Sequence, residues 1–423
     1  MVTNKIALHW QILIALLFAA LTGVFLDQAS SVFGIPFLSI LVFIGTLFLN
    51  ALKMLIVPLV MASIITGMMS LNADTLGRLG AKTMLYYAVT SLVAILIGMF
   101  FVNLLQPGVI DGEPARYVIG LSSETEDVIS SVDGKGASDI AEVFLRMVPS
   151  NIVTAAANGQ MLGLIFFSLI FGFFISKLRG SSAQVQKDFW QGLLDIMMMM
   201  TDFVMKFAPI GVYALVTKVI IISGIDAFQP LALFSITVLL ALGVHMFLFL
   251  PAVLRYIARV SPAKHYSAML PALLTAFSTS SSSATLPITL DCVEHRAGVS
   301  NQVSGFTLPL GATINMDGTA LYECVAAMFI AQAYGISLDL TTQFTVVVVA
   351  LLTSIGVAGI PSASLVAITI ILGVIGLPLE AIGLILVVDR VLDMCRTAVN
   401  VFSDSCAAVT IARLEGEDTL LLR

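Results

Sequence analysis

The 423 residues carry a formal net charge of −6, with 11% charged side chains, 59% hydrophobic ones and a mean hydropathy of +1.04. A soluble domain carries about 25% charged residues, so this composition excludes a soluble globular enzyme, a disordered chain and a disulfide scaffold. The acidic balance also lacks the basic face that grips nucleic-acid phosphates, and what remains is an all-α polytopic membrane protein.

Apolar runs long enough to span a bilayer of about 30 Å recur at 6–27, 38–69, 83–106, 155–178, 196–222 and 229–257. The first lacks a small-residue cleavage site and reads as a membrane helix, not a removed signal. Basic residues gather after the second run (Arg78, Lys82), the fourth (Lys177, Arg179, Lys187) and the sixth (Arg255, Arg259, Lys264). The acid-rich loop 109–142 lies in an alternate position. By the positive-inside rule the N-terminus is cytoplasmic and that loop is outside.

After residue 260 the pattern changes. Segment 266–290 has two apolar halves, each too short to cross, around a Ser-rich break, and segment 341–377 repeats the plan around GVAGIPSAS. Paired interrupted segments mark a transporter's binding region, because irregular backbone at membrane depth must line a cavity or be buried in protein. Each is followed by a helix with polar residues in its middle, 306–331 and 384–412, so the unit occurs twice and suggests inverted repeats.

The last helix carries the densest chemistry. At about 100° per residue, Asp389, Asp393, Arg396, Thr397, Asn400 and Asp404 fall within an arc of about 100°. Charges facing lipid would cost about 2.5–3.5 kcal/mol each, so this arc faces protein or an aqueous site. One reading is a structural Asp–Arg network. The other is a ligand site: the Arg396 fork suits a carboxylate, Asp393 suits an ammonium, and the Ser280–Ser283 stretch offers donors for a second carboxylate. That combination describes an acidic α-amino acid. Asp404, Asn400, Asn315 and Asp317 are hard oxygen donors of the kind that hold Na⁺, or they bond helix to helix. Glu323, buried in an apolar setting, is either a proton carrier or a permanently protonated structural group. The four cysteines read as buried small hydrophobes. The four histidines (His9, His245, His265, His295) are scattered and suggest no metal site.

At these residues the chain resembles the glutamate transporter family of dicarboxylate/amino acid:cation symporters. SSSSATLP (280–287) is similar to the first-hairpin motif and NMDGT (315–319) to the seventh-helix motif. SIGVAGIP (354–361) is similar to the second-hairpin tip, DxxxDxxRTxxNxxxD (389–404) to the eighth-helix motif and YYxxTS (86–91) to a third-helix sodium pattern. The motifs run in family order over essentially the whole chain.

The resemblance implies eight transmembrane helices with two re-entrant hairpins, in a homotrimer working by an elevator movement. Scaffold helices 1–2 would occupy residues 1–78, and helix 3 of the transport domain 79–108. An extracellular loop would follow at 109–142, scaffold helices 4–5 at 143–223 and the rest of the transport domain at 224–423. It also implies a substrate site of Arg396 on the side-chain carboxylate and Asp393 on the amine, with Ser282, Thr319, Thr397, Asn400, Gly359 and Ile360. Up to three Na⁺ sites follow from it: Asp404, Asn400, Asn315 and Gly311; Tyr87, Thr90, Ser91, Asn315 and Asp317; and Thr313, Ser354, Ile355 and Val357. No organic cofactor is implied. Glu323 matches the proton-coupled branch of the family. Relatives carry a further arginine where this chain has Ser280 or Met394, and Arg390 is the candidate substitute on geometry.

The expected activity is import of L-glutamate and L-aspartate with Na⁺, and H⁺ as a further coupling ion, across a cell (inner or plasma) membrane. A proton-only glutamate symporter and a C4-dicarboxylate:cation symporter are the rivals, the latter disfavoured by Asp393. A neutral amino acid exchanger is disfavoured by Arg396. A channel would need a polar stripe through several helices, and an enzyme would need a base–nucleophile pair, which the Ser280–Ser283 run lacks.

Overall fold

In the computed structural model the described residues are 8–27, 29–32, 34–70, 78–116, 145, 148–158, 161–223, 228–356, 363–378 and 382–421. They are mostly helical. The helices are α1 (Leu8–Phe25), α2 (Phe37–Ser70), α3 (Arg78–Leu105), α4 (Ile152–Ala157), α5 (Met161–Lys177), α6 (Ser181–Met205), α7 (Ala208–Ser223) and α8 (Phe228–Val244). They continue as α9 (Leu250–Tyr256), α10 (Pro262–Thr279), α11 (Ser282–Asp291), α12 (Asn301–Ile314), α13 (Asp317–Ala333), α14 (Leu340–Gly356), α15 (Ala363–Ile375) and α16 (Ile382–Leu414). Two two-stranded antiparallel ribbons, β1 (Ser31–Val32) with β2 (Ile35–Pro36) and β3 (Val109–Ile110) with β4 (Glu113–Pro114), close turns between helices.

Two local details depart from the apolar-run reading. The run at 196–222 is not one helix: it breaks at Lys206–Phe207, between α6 and α7. Pro209 supplies the reason, since its ring excludes the helical hydrogen bond that would join the two. The run at 229–257 is continuous but contains a π-helical turn at His245–Phe249.

By length and composition, Leu79–Leu105 and Gln229–Tyr256 each suffice to cross a bilayer. Large apolar side chains such as Phe18, Phe43, Leu85, Phe100 and Phe247 stand exposed along the helices. Polar and charged side chains such as His245, Asp317, Glu323, Asp389 and Arg396 are buried instead. This inside-out distribution matches a surface solvated by hydrocarbon.

Helices α1, α2, α5, α6 and α7 pack mainly on one another. Gly211 sets the closeness of α7 to α2, because a Cβ there would stand 2.3 Å from Phe48 Cγ. The other packing centre is α13, whose residues are buried along nearly its whole length. It touches α3, α8, α14, α15 and α16, and a helix buried on every side has no polar face to show.

The two ends of this packing are distinct. At one, Gln332 bonds the backbone of Val102 and Gly108, and Asn103 bonds Gln343. At the other, the segment after α16 folds back: Leu420 N–H donates to Ala297, Ser261 N–H to Leu421, Ser300 to Glu417, and Lys82 to Glu415.

Candidate functional site

Three helix interruptions fall at the motif stretches. The first is Ser280–Ser281, between α10 and α11. Ser280 has φ of 51°, a left-handed conformation, and the Ser281 side chain caps α11 by accepting from Ala284 N–H. Ser282, the first residue of α11, is buried. The second is Asn315–Met316, where two non-helical residues separate α12 from α13. The third lies between α14 and α15. Val357, Gly359 and Ile360 fall there, outside the described residues, and Ile355 is placed only as part of α14.

The Asn315–Met316 break is tied down by α16. Asn400 Oδ1 accepts from Gly318 N–H at 2.8 Å, which satisfies one open donor at the start of α13. Asn400 Nδ2 donates to Thr319 Oγ1 at 3.0 Å. Asn315 Nδ2 donates to Asp404 Oδ1 at 2.9 Å and to Ser403 Oγ at 3.1 Å. Gly311 makes room here, since a Cβ on it would stand 2.5 Å from Asp404 Oδ1 and 2.9 Å from the Tyr87 hydroxyl. Tyr87 donates to the Thr307 carbonyl at 2.7 Å.

Asp317 opens α13, where the helix dipole favours a negative charge. Its Oδ1 accepts from Ser91 at 2.7 Å and stands 3.3 Å from Thr90 Oγ1, itself 3.3 Å from Asn315 Oδ1. Its Oδ2 meets Ser403 Oγ at 2.7 Å and His245 Nε2 at 2.9 Å. Thus α3, the π-helical turn after α8, the Asn315–Met316 break, α13 and α16 each place polar atoms in one connected hydrogen-bond cluster. Among the described residues Thr313 and Ser354 are not tied to it by a hydrogen bond; each donates to a carbonyl of its own helix. His245, to which the sequence reading assigns no role, belongs to the cluster. The signal was in the sequence, as a histidine inside the apolar run 229–257 is costly unless paired.

The other end of the α16 arc holds a separate cluster. Arg396, fully buried, donates from Nη2 to Asp389 Oδ1 at 3.0 Å and to Asp393 Oδ1 at 2.8 Å. Its guanidinium carbon lies 3.7 Å from the centre of the Tyr322 ring, a cation–π contact. Its Nε and Nη1 have no hydrogen-bond partner among the described residues. Arg390 Nη1 reaches Asp393 Oδ2 at 3.4 Å. Thr397 donates to the Asp393 carbonyl. The Asp–Arg network therefore exists, and it leaves part of the Arg396 fork uncommitted. Buried donors rarely stay so.

Glu323, six residues along α13 from Asp317, is fully buried, and its Oε2 accepts from Thr353 on α14 at 2.9 Å. Oε1 has no partner among the described residues.

A helical bundle with an apolar exterior and buried ionisable clusters at interrupted helices is a membrane transport protein in class. Comparison with known proteins narrows the class. The sodium:dicarboxylate symporter family matches residues 8–414. A proton/sodium-glutamate symport protein of Bacillus caldotenax is 34% identical, covering 98% of this chain and 96% of that protein. The proton/glutamate-aspartate symporter of Escherichia coli K12 is 35% identical, covering 97% and 93%. Human excitatory amino acid transporter 3 is 33% identical, covering 89% and 79%. The chain belongs to the sodium:dicarboxylate symporter family.

Proposed function

We propose that this protein is a secondary active symporter that imports L-glutamate and L-aspartate together with Na⁺, with Glu323 as the group that carries a proton. The observation that carries the proposal is Arg396. A buried guanidinium with two donor nitrogens unpartnered among the described residues, stacked on Tyr322 and tethered beside two carboxylates, is preorganised for an incoming carboxylate. Asp393, already a carboxylate facing cations, takes the substrate ammonium. Ser282, Thr319, Thr397, Asn400, Gly359 and Ile360 complete the substrate site.

Cations occupy the oxygen-rich groups of Asp404, Asn400, Asn315 and Gly311, of Tyr87, Thr90, Ser91, Asn315 and Asp317, and of Thr313, Ser354, Ile355 and Val357. Asn315 belongs to two of these, so filling one orders a ligand of the next. Each net positive charge entering with substrate draws about 2.3 kcal/mol per 100 mV from the membrane potential. Ordered cation sites favour the closed, mobile state only when ions and substrate are both bound.

The architecture proposed with this activity has eight spans and two re-entrant hairpins, α10–α11 and α14–α15, in a homotrimer in the cell membrane with a cytoplasmic N-terminus. Residues 1–78 and 143–223 form the scaffold. Residues 79–108 and 224–423 form the part that moves as an elevator. The packing of α1, α2, α5, α6 and α7 on one another, and of α3, α8, α14, α15 and α16 around α13, supports that division.

Labelled L-aspartate and L-glutamate uptake into proteoliposomes tests the proposal, with an inward Na⁺ gradient in one set and only an inward proton gradient in the other. Uptake that requires Na⁺ supports it. Uptake driven by protons alone refutes the sodium sites and leaves a proton symporter centred on the Glu323–Thr353 pair.

A further inference from the structure

His245 is a buried partner of Asp317 contributed by the π-helical turn that follows α8, a stretch that carries none of the binding motifs. The two side chains are fully buried and meet at 2.9 Å between Nε2 and Oδ2. Local backbone serves this contact. The turn His245–Phe249 is π-helical, with Leu250 N–H donating to the His245 carbonyl, and such turns re-aim side chains at functional sites. The imidazole stacks on Phe249, ring centres 5.2 Å apart and planes 24° from parallel. The contact is therefore held from two sides.

We infer that His245 is a positioning residue for the Asp317 carboxylate, turning one oxygen permanently inward so that the other faces the cation. The inference rests on the reading of Asp317 as a cation ligand. A carboxylate oxygen only accepts, so the ring nitrogen facing it is the donor. A nitrogen that donates its proton has no lone pair left for a cation. Oδ2 is thus committed whether or not an ion is present. On the other side, among the described residues Oδ1 meets only the hydroxyls of Ser91 and Thr90. Hydroxyls rotate and present lone pairs to a cation as readily as they donate to a carboxylate. His245 Nδ1 has no partner among the described residues, so it is Asp317 that selects the tautomer with the proton on Nε2.

The test uses the full-length protein. Sodium-dependent stabilisation in detergent and the sodium concentration giving half-maximal uptake in proteoliposomes are measured for His245→Gln, His245→Asn, His245→Leu and Asp317→Asn. The Gln amide nitrogen reaches the position of the imidazole Nε2, whereas the Asn amide falls short. Partners that orient a metal ligand typically contribute about ten- to 100-fold to affinity. The expected result is a rise of about tenfold in half-saturating sodium for the Asn and Leu variants. Maximal uptake rate stays unchanged at saturating sodium, and His245→Gln stays near the parent value. Should the Leu variant not fold, the Gln–Asn pair, alike in polarity and differing by one methylene, carries the comparison. If Gln and Asn shift sodium dependence equally, or neither shifts it while Asp317→Asn does, the positioning role is wrong and the cation site stands. If Asp317→Asn leaves sodium dependence intact, the cation site itself is wrong, and the inference goes with it.

Discussion

Substituting Gly311 by alanine should weaken sodium coupling through one added methyl group. The new Cβ would stand 2.5 Å from Asp404 Oδ1, 2.8 Å from Asp404 Cγ and 2.9 Å from the Tyr87 hydroxyl. Ordinary contacts to carbon are about 3.5 Å or longer, so the carboxylate must retreat by about 1 Å. Overpacking of this kind costs about 1–3 kcal/mol. Without a cation, Asp404 relieves the clash by swinging away. With one, its oxygen must hold coordination distance, so the cost falls on the bound state. The sodium concentration for half-maximal uptake should then rise roughly five- to 140-fold. Gly305→Ala on the same helix is the control, because its Cβ would meet nothing closer than Asn301 at 3.7 Å. Sodium titrations of uptake in proteoliposomes, with both variants at matched protein density, make the comparison. Equal half-saturating sodium for the two variants would refute the placement of a cation between Gly311 and Asp404.

Asp393→Ala should lower L-aspartate affinity more than succinate affinity in competition assays, since only aspartate presents an ammonium; parallel losses would remove Asp393 from amine recognition. Thr353→Val removes the hydroxyl that donates to Glu323, a bond to a carboxyl worth about 1–3 kcal/mol. It should alter the proton dependence of uptake in the same direction as Glu323→Gln, and opposite directions would uncouple the two residues. Gly211→Ala pushes a methyl group against Phe48 and should lower the melting temperature, at about 1–3 kcal/mol. Sodium dependence per folded molecule should not change, and a change would show that this packing contact reaches the ion sites.

The polar arc of the last helix was legible from spacing alone. Asp389, Asp393, Arg396, Thr397, Asn400 and Asp404 are indeed all buried. What spacing does not carry is where each side chain turns. Long side chains in helices lean back toward the N-terminus, so Arg396 meets Asp393 and Asp389 of its own helix while Asp404 meets Asn315. One arc becomes two clusters. The partners on other helices were harder to see. Thr90 and Ser91 entered only through resemblance to a family motif, and His245 has no motif around it. The break at Lys206–Phe207 was readable in Pro209, but hydrophobicity alone runs straight through it.

The burial of α13 has a consequence for biogenesis. Asp317 and Glu323 sit in a helix whose hydrogen-bonding partners are made at very different times: Thr90 and Ser91 early, His245 midway, Thr353 and Ser403 last. While α13 leaves the ribosome, three of the five helices it packs against, α14, α15 and α16, do not yet exist. A segment with two carboxyl groups that entered lipid alone would bear their full solvation cost. The insertion machinery must therefore shelter α13 until about 70 further residues beyond Ala333, through Ser403, have been synthesised. Ribosome-stalled chains ending before and after α16 would show this as prolonged crosslinking of α13 to the translocon, released only in the longer chain.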